Sequence, residues 1–420
     1  MNSLPADFQF SFTLCLGFVL LAPFAIAGVA LINAGLGRSR SAAHAMTSCL
    51  CVVSVAALIY FVCGFAVQRY PLHAEQFVAA GPPGAPGLFS RGVSDPGALL
   101  VLLVGIFSVG LASIIPLGAA ADRWRLSAAC TSTVLLAGWT YPVFARMAWH
   151  QFLPMLDVKF NLGHAFIDAG GSGAIQVTGG LTALSLAWLL GPRRGKFAPD
   201  GLPAAIPAHN EVFVLFGCML AWIGWLGLNS AGAILYAGMH PQNSALVAVN
   251  TTFSATAAAL AAAAVTRLRF RRPDASLIAN GWMAGLVASS AGCATLKPAT
   301  AILTGLVAGA LVVLSVEWLE FGLKVDDPCG SVSVHAVAGL WGLLAVGIFA
   351  GDPDQFMAQL VGVAILTGFI LPITYGLNCL LGHVIPHRVS PDGERQGMDL
   401  HELGADAYPE FVVHADELMG

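Results

Sequence analysis

The sequence predicts an all-α polytopic membrane protein of eleven transmembrane helices, and three observations predict it. Charged residues are 10% of the chain and hydrophobic ones 57%, whereas soluble domains are charged at roughly a quarter of their positions. Apolar runs long enough to cross a bilayer recur along most of the length. One stretch occurs twice, at Asp168 to Leu181 and at Asp327 to Leu340.

The apolar runs fall at about 10–33, 45–67, 97–120, 127–147, 169–191, 208–230, 244–266, 276–292, 299–322, 331–350 and 357–383. The eighth is short, and Ala255 to Ala264 is so alanine-rich that its hydrophobicity is modest. An odd number of spans puts the termini on opposite sides. With the N-terminus outside, the inward loops hold Arg38, Arg40, Arg123, Arg125, Arg193, Arg194, Lys196, Arg267, Arg269, Arg271, Arg272, Lys324, Arg388 and Arg395. The outward loops hold only Arg69, Arg91, Arg146, Lys159 and Lys297, so the 19 basic residues divide 14 to 5. The positive-inside rule then predicts an outside N-terminus and a cytoplasmic C-terminus. Met1 to Gln9 has no Lys or Arg and so lacks the basic start of a signal peptide; the helix from Phe10 is expected to be retained. Gln68 to Pro96, with Pro82, Pro83 and Pro86, reads as an irregular external connection, and Gly191 to Asn210 as the longest internal loop. The membrane domain is therefore 1–383, followed by a cytoplasmic tail at 384–420.

The two copies of the repeated stretch match at fixed offsets. Each opens on Asp, has Gly-Ser three and four residues on (Gly171-Ser172, Gly330-Ser331), and has Gly-Leu at twelve and thirteen (Gly180-Leu181, Gly339-Leu340). Small residues that merely let helices pack explain Gly171, Gly173, Gly180 or Gly339 singly. They do not explain five matched positions. Because five helices separate the copies, helices five and ten run in opposite directions, which predicts an inverted repeat at about 10–191 and 208–350 with an extra helix at 357–383. Eight residues past each Asp stands Gln176 or His335. At about 1.5 Å per residue these side chains lie roughly 12 Å inward, near the middle of a ~30 Å core, and two helices entering from opposite faces bring them together.

Composition also narrows the function. A net charge of −4 argues against nucleic acid as a partner. Most of the nine cysteines fall in apolar stretches without metal or disulfide spacing. No nucleotide loop or nucleophile arrangement is present, so neither an enzyme nor a cofactor is expected.

Six segments carry a resemblance: G-L-G-R-S-R after helix one, A-D-R-W-R after helix three, D-A-G-G-S-G-A-I-Q-V-T-G-G in helix five, W-I-G-W-L-G-L-N in helix six, V-D-D-P-C-G-S-V-S-V-H-A-V-A-G-L-W-G into helix ten, and G-M-D-L-H-E-L-G-A-D-A-Y-P-E-F in the tail. In order and spacing these resemble the ammonium transporter (Amt/Mep/Rh) family. The resemblance implies a homotrimer in the plasma or inner membrane, each eleven-helix protomer with its own narrow hydrophobic pore for ammonia or ammonium. It implies a facing pair of pore histidines, of which His335 is one; Gln176 stands in place of the other. It implies that Asp168 supports the external side of the site and that Trp149 offers its ring face to a cation. Leu228 replaces a usual Phe, Gly232 replaces a usual Ser, and Phe107 aligns with the first pore phenylalanine, although the spacing from Asp122 points to Ser108. The tail motif, Gly397 to Phe411, implies coupling beneath the trimer and a trimeric nitrogen-signalling regulator as partner.

Chemistry says what the departures do. A neutral histidine carries one donor and one acceptor and titrates near neutral pH, whereas a glutamine amide donates and accepts without an accessible pKa. The mixed pair lines a path for a small polar neutral molecule and should carry net charge poorly. With an aromatic and a hydroxyl missing, the mouth should recruit cations weakly. Plainer readings stand beside these: Asp168 as a helix cap alone, Trp149 as an interfacial anchor, and His335 and Gln176 as buried residues bonded to a neighbouring helix. Asp326 and Asp327 are expected to cap helix ten, and Glu317 and Glu320 to be solvated or loop-bonded near the end of helix nine. The function expected is thus a pore for ammonia or ammonium. The alternatives are an ammonium-sensing or weakly conducting relative, or a pore for another small neutral molecule.

Overall fold

The computed structural model describes residues 6–69, 88–91, 93–94, 96–150 and 164–409, with side chains in the first helix from residue 11 on. Most of the expected connection at 68–96, Lys159, and the tail from residue 410, including Phe411, lie outside the described residues. Among the described residues the structure is helical, and the only extended pairings are isolated bridges of Trp124 with Arg388 and Phe197 with Pro203.

Nine of the described helices are long and apolar enough to cross a membrane: α1 (Ser11–Leu36), α2 (Ser39–Arg69), α3 (Pro96–Ala119), α5 (Ser172–Leu190), α6 (Glu211–Leu235), α7 (Pro241–Phe270), α9 (Pro298–Gly322), α10 (Val332–Ala350) and α11 (Pro353–Gly382). The other two expected runs are also helical, α4 over 126–149 and α8 over Ala275–Gly292. They are less apolar because α4 carries Ser127, Thr131, Ser132, Thr133 and Arg146, and α8 carries Ser276, Asn280, Ser289 and Ser290. Short polar side chains also begin the helices: Asn210 accepts from Phe213 N over 3.0 Å to open α6, and Asp274 from Leu277 N over 2.9 Å to open α8.

Where helices cross, glycine sets the spacing. A methyl group at Gly28 of α1 would lie 2.5 Å from the Ala221 nitrogen of α6, and one at Gly217 of α6 would lie 2.7 Å from the Gly28 carbonyl. The backbones touch, so no larger residue fits.

α5 and α10 run antiparallel, and the contacts at their ends establish it. Beyond the end of α5, Arg193 grips Asp326, just before α10, with Nε to Oδ2 and Nη2 to Oδ1 both at 3.0 Å. Before the start of α5, Ile167 N donates over 2.7 Å to Gln359 of α11, and His164 lies 2.8 Å from Asp352 at the end of the α10–α11 turn.

The loops rich in arginine gather on one face. Arg193 also reaches Asp122 at 3.0 Å, and Arg123 donates to the Asp326 carbonyl at 2.8 Å and the Gly191 carbonyl at 2.8 Å. Asp326 therefore does not cap α10, contrary to the sequence expectation; its carboxylate is drawn to a buried guanidinium, and Asp327 alone takes the cap. Burial by itself would raise the Asp326 pKa, but Arg193 and Arg123 hold it below the ordinary carboxylate range. Burial lowers Arg123 to about 10. Glu320, partly exposed, is loop-bonded through Lys196, and Glu317, also partly exposed, pairs with Arg269 at the end of α7. The tail closes this face. Asp399 accepts from His44 N over 2.7 Å in α2, Glu402 from Leu126 N over 2.8 Å at the start of α4, and Glu394 from Arg194 N over 2.6 Å. Carboxylates thus answer free N–H groups at two helix starts.

Candidate functional site

α5 and α10 are opened by the same device. Asp168 Oδ2 accepts from Gly173 N at 3.0 Å and Ala174 N at 2.9 Å, while Asp327 accepts from Ser331 N at 3.0 Å and Val332 N at 2.7 Å. The turn between cap and helix needs a left-handed residue, supplied by Gly171 at φ 86° and Gly330 at φ 68°. Both helices then start with a π-turn, Ser172–Val177 and Val332–Val337. Such wide turns cluster at functional sites, and these two hold Gln176 and His335.

Those side chains meet. His335 Nδ1 donates to Gln176 Oε1 over 2.9 Å, and both residues are buried. Glycine permits the approach, since a methyl at Gly180 would lie 2.8 Å from the His335 carbonyl carbon, and one at Gly339 would lie 2.6 Å from Val177. Ser172 Oγ donates to the Val287 carbonyl at 3.0 Å and the Gly339 carbonyl at 3.1 Å, fixing α5 to α8 and α10.

The carbonyl oxygen of Gln176 only accepts, so the His335 proton in this bond sits on Nδ1 and the neutral ring keeps its lone pair on Nε2. The Gln176 amide nitrogen has no partner. Beside His335 lies a cavity of ≈ 10 Å³ lined by Val29, Ile32, Asn33, Asn280 and Met283, about the threshold for a single water. The pair thus leaves both N–H groups of the Gln176 amide without a partner, and the His335 ring borders a narrow cavity lined by apolar and amide side chains.

At the head of α5, Trp149, Asp168 and Gly232 come together. The Trp149 indole donates to the Asp168 carbonyl over 2.8 Å. Asp168 is a cap whose backbone also holds Trp149, its Oδ1 has no partner, and burial pushes its carboxyl up to about 6. A methyl at Gly232 would lie 2.6 Å from the Ala169 carbonyl, so the space for a serine side chain is filled by backbone. Leu228, one turn before Gly232 on the same face of α6, is buried. Phe107 is half-buried and packs with Tyr236 against Cys15, Val19, Leu100, Val104 and Ala231.

Two residues here are not among those the sequence singles out. Tyr236 stacks on Trp149, ring centroids 4.0 Å apart and planes 1° apart. Nothing in the pattern marks it beyond a position four residues after Gly232. Asn229 donates to Thr251 Oγ1 at 2.9 Å and leaves its own oxygen unpartnered. It ends the W-I-G-W-L-G-L-N run and was visible there.

Comparison with known proteins follows the same lines. The sequence model of the Ammonium Transporter Family matches residues 12–408. An ammonium transporter Amt2 of Archaeoglobus fulgidus is 33% identical, covering 99% of this chain and 91% of that protein. An Amt2 of Haloferax mediterranei is also 33% identical, covering 92% and 87%. Among solved structures, one titled Sensor Amt Protein superposes with a TM-score of 0.84 at 25% identity, covering 94% of this chain and 98% of that one. Candida albicans Mep2 has the same fold at a TM-score of 0.79 and 20% identity, covering 96% and 90%.

Proposed function

We propose, for a chain that belongs to the ammonium transporter family, that each protomer passes neutral ammonia between Gln176 and His335 and moves little net charge. The protein is a multi-pass membrane transporter and not an enzyme. The observation that carries the reading is the 2.9 Å bond from His335 Nδ1 to Gln176 Oε1, which leaves the amide N–H groups and the imidazole Nε2 to a guest. Ammonia has one lone pair and three N–H groups. It accepts from the Gln176 amide and donates to His335 Nε2, satisfying both. The ammonium ion has four donors and no lone pair, so it leaves the amide unanswered and bears the desolvation of a charge at membrane depth.

The same reading takes eleven spans, with α4 and α8 as the two polar ones, and an inverted repeat of 10–191 and 208–350 with α11 outside it. The matched caps and π-turns of antiparallel α5 and α10 support it. The N-terminus is then outside and the arginine-rich face cytoplasmic, because the basic residues gather there with the tail. Trp149, Asp168, Gly232, Leu228 and Phe107 then belong to the external half of the path. A homotrimer in the plasma or inner membrane completes the reading, with a trimeric nitrogen-signalling regulator docking on the cytoplasmic face.

A second reading, an ammonium-sensing or weakly conducting protein, draws on the filled head of α5, where Gly232 abuts backbone and Tyr236 covers Trp149. Proteoliposomes decide between them. Under an ammonia gradient, transporter-containing vesicles are expected to alkalinise faster than protein-free ones; equal rates would overturn the transport reading in favour of sensing.

A further inference from the structure

Tyr236 covers one face of the Trp149 indole. It caps the C-terminus of α6, its N–H bonded to the Gly232 carbonyl over 2.8 Å, and its ring lies flat on the indole at 4.0 Å. His150 meets the Tyr236 ring edge-on, centroids 5.9 Å apart. A cation over an aromatic ring needs that ring's face within about 6 Å, and a stacked ring uses the same face. Position 232 adds no hydroxyl, because Gly232 leaves no room for a side chain beside the Ala169 carbonyl.

The stack is poised rather than locked. The Tyr236 hydroxyl is buried without a hydrogen-bond partner, a state that disfavours the closed position, while the ring stack favours it. Two residues on, Gly238 sits at φ 62°, a left-handed turn position that glycine adopts without strain.

We propose that Tyr236 is a specificity-determining residue, a built-in competitor whose ring shields the face of Trp149 from alkylammonium and ammonium cations, so that a cation binds there only when the ring moves away. The proposal rests on reading the head of α5 as the mouth of the path. Apparent affinity at Trp149 is then the intrinsic affinity reduced by the fraction of molecules with the ring displaced. Neutral ammonia gains nothing from a cation–π contact and is unaffected by this competition, so the shield biases entry toward the uncharged form.

The test is calorimetric titration of the detergent-purified full chain with methylammonium chloride at fixed ionic strength, which reads binding whether or not the protein transports. Tyr236→Ala is expected to bind about tenfold tighter than wild type. Tyr236→Phe, which keeps the ring, is expected to bind as weakly as wild type. Tyr236→Leu fills most of the volume without a π-face and serves where the alanine variant fails to fold; it is expected to gain as the alanine variant does. Adding Trp149→Leu to either is expected to remove the gain. Equal binding by wild type and the alanine or leucine variant overturns the proposal, as does a gain that survives Trp149→Leu. A wild-type structure in methylammonium with the cation on Trp149 and Tyr236 still stacked on that face also overturns it. Failure of liposome flux with a positive titration would strike the transport reading alone.

Discussion

His335 Nδ1 donates to Gln176 Oε1 over 2.9 Å where two antiparallel helices with matching caps cross. The bond couples the two residues so that each fixes what the other offers. Replacing His335 with Ala should leave the buried amide with neither partner, and the loss is of order 1–3 kcal/mol. The expected outcome is a lower unfolding midpoint in detergent together with reduced ammonia flux. A variant as stable as wild type would show that the bond contributes nothing to the fold.

The buried charge cluster makes a second prediction. Asp326 accepts two charge-assisted bonds from Arg193, so Asp326→Ala leaves that buried guanidinium only Asp122 and should destabilise by about 1.5–3 kcal/mol. Because the folded carboxyl titrates below its unfolded value of 3.8, the unfolded state binds more protons as the pH falls. The stabilisation is full above about pH 4 and is lost as pH drops through the lower folded value. Thermal melts between pH 3 and 6 should show this acid limb in wild type and a weaker one in the variant.

Gly232 tests the geometry of the mouth. Restoring the family's usual residue by Gly232→Ser should not add a cation ligand, because its Cβ would stand 2.6 Å from the Ala169 carbonyl. Overpacking of this kind costs about 1–3 kcal/mol, read as a fall in unfolding midpoint with no gain in methylammonium binding. Tighter binding with unchanged stability would contradict the packing described here.

The sequence carried a large part of this site. The common offset of eight from Asp168 and Asp327 makes the meeting of Gln176 and His335 legible in the sequence, because helical rise converts sequence spacing into depth. Helix positions were legible for the same reason, from apolar run length. What failed to show was chemistry decided by tertiary contact. Asp326 and Asp327 are adjacent acids with opposite fates, one bound to Arg193 and one capping α10, and only the approach of a loop more than a hundred residues away separates them. Tyr236 is a single aromatic after a helix end, and its stacking depends on where α4 finishes. Ser132, Thr133 and Arg146 of α4 and Asn280, Ser289 and Ser290 of α8 are buried inside the bundle, so hydropathy understates those helices.

Replacing Gln176 with His should restore a pair of imidazoles, each able to take up and release a proton. With the path otherwise open, ammonium-dependent current is expected to rise well above that of wild type while alkalinisation remains. Unchanged current would mean that the proton pathway is interrupted elsewhere.

The most direct measurement is the current across reconstituted membranes after an ammonium jump, recorded with internal pH in wild-type proteoliposomes across pH 5 to 8. A pair built from an amide and a neutral imidazole predicts alkalinisation that follows the concentration of uncharged ammonia, with little current at any pH. Wild-type currents that scale with ammonium and persist at pH 5, where little ammonia exists, would contradict it and show that charge passes Gln176.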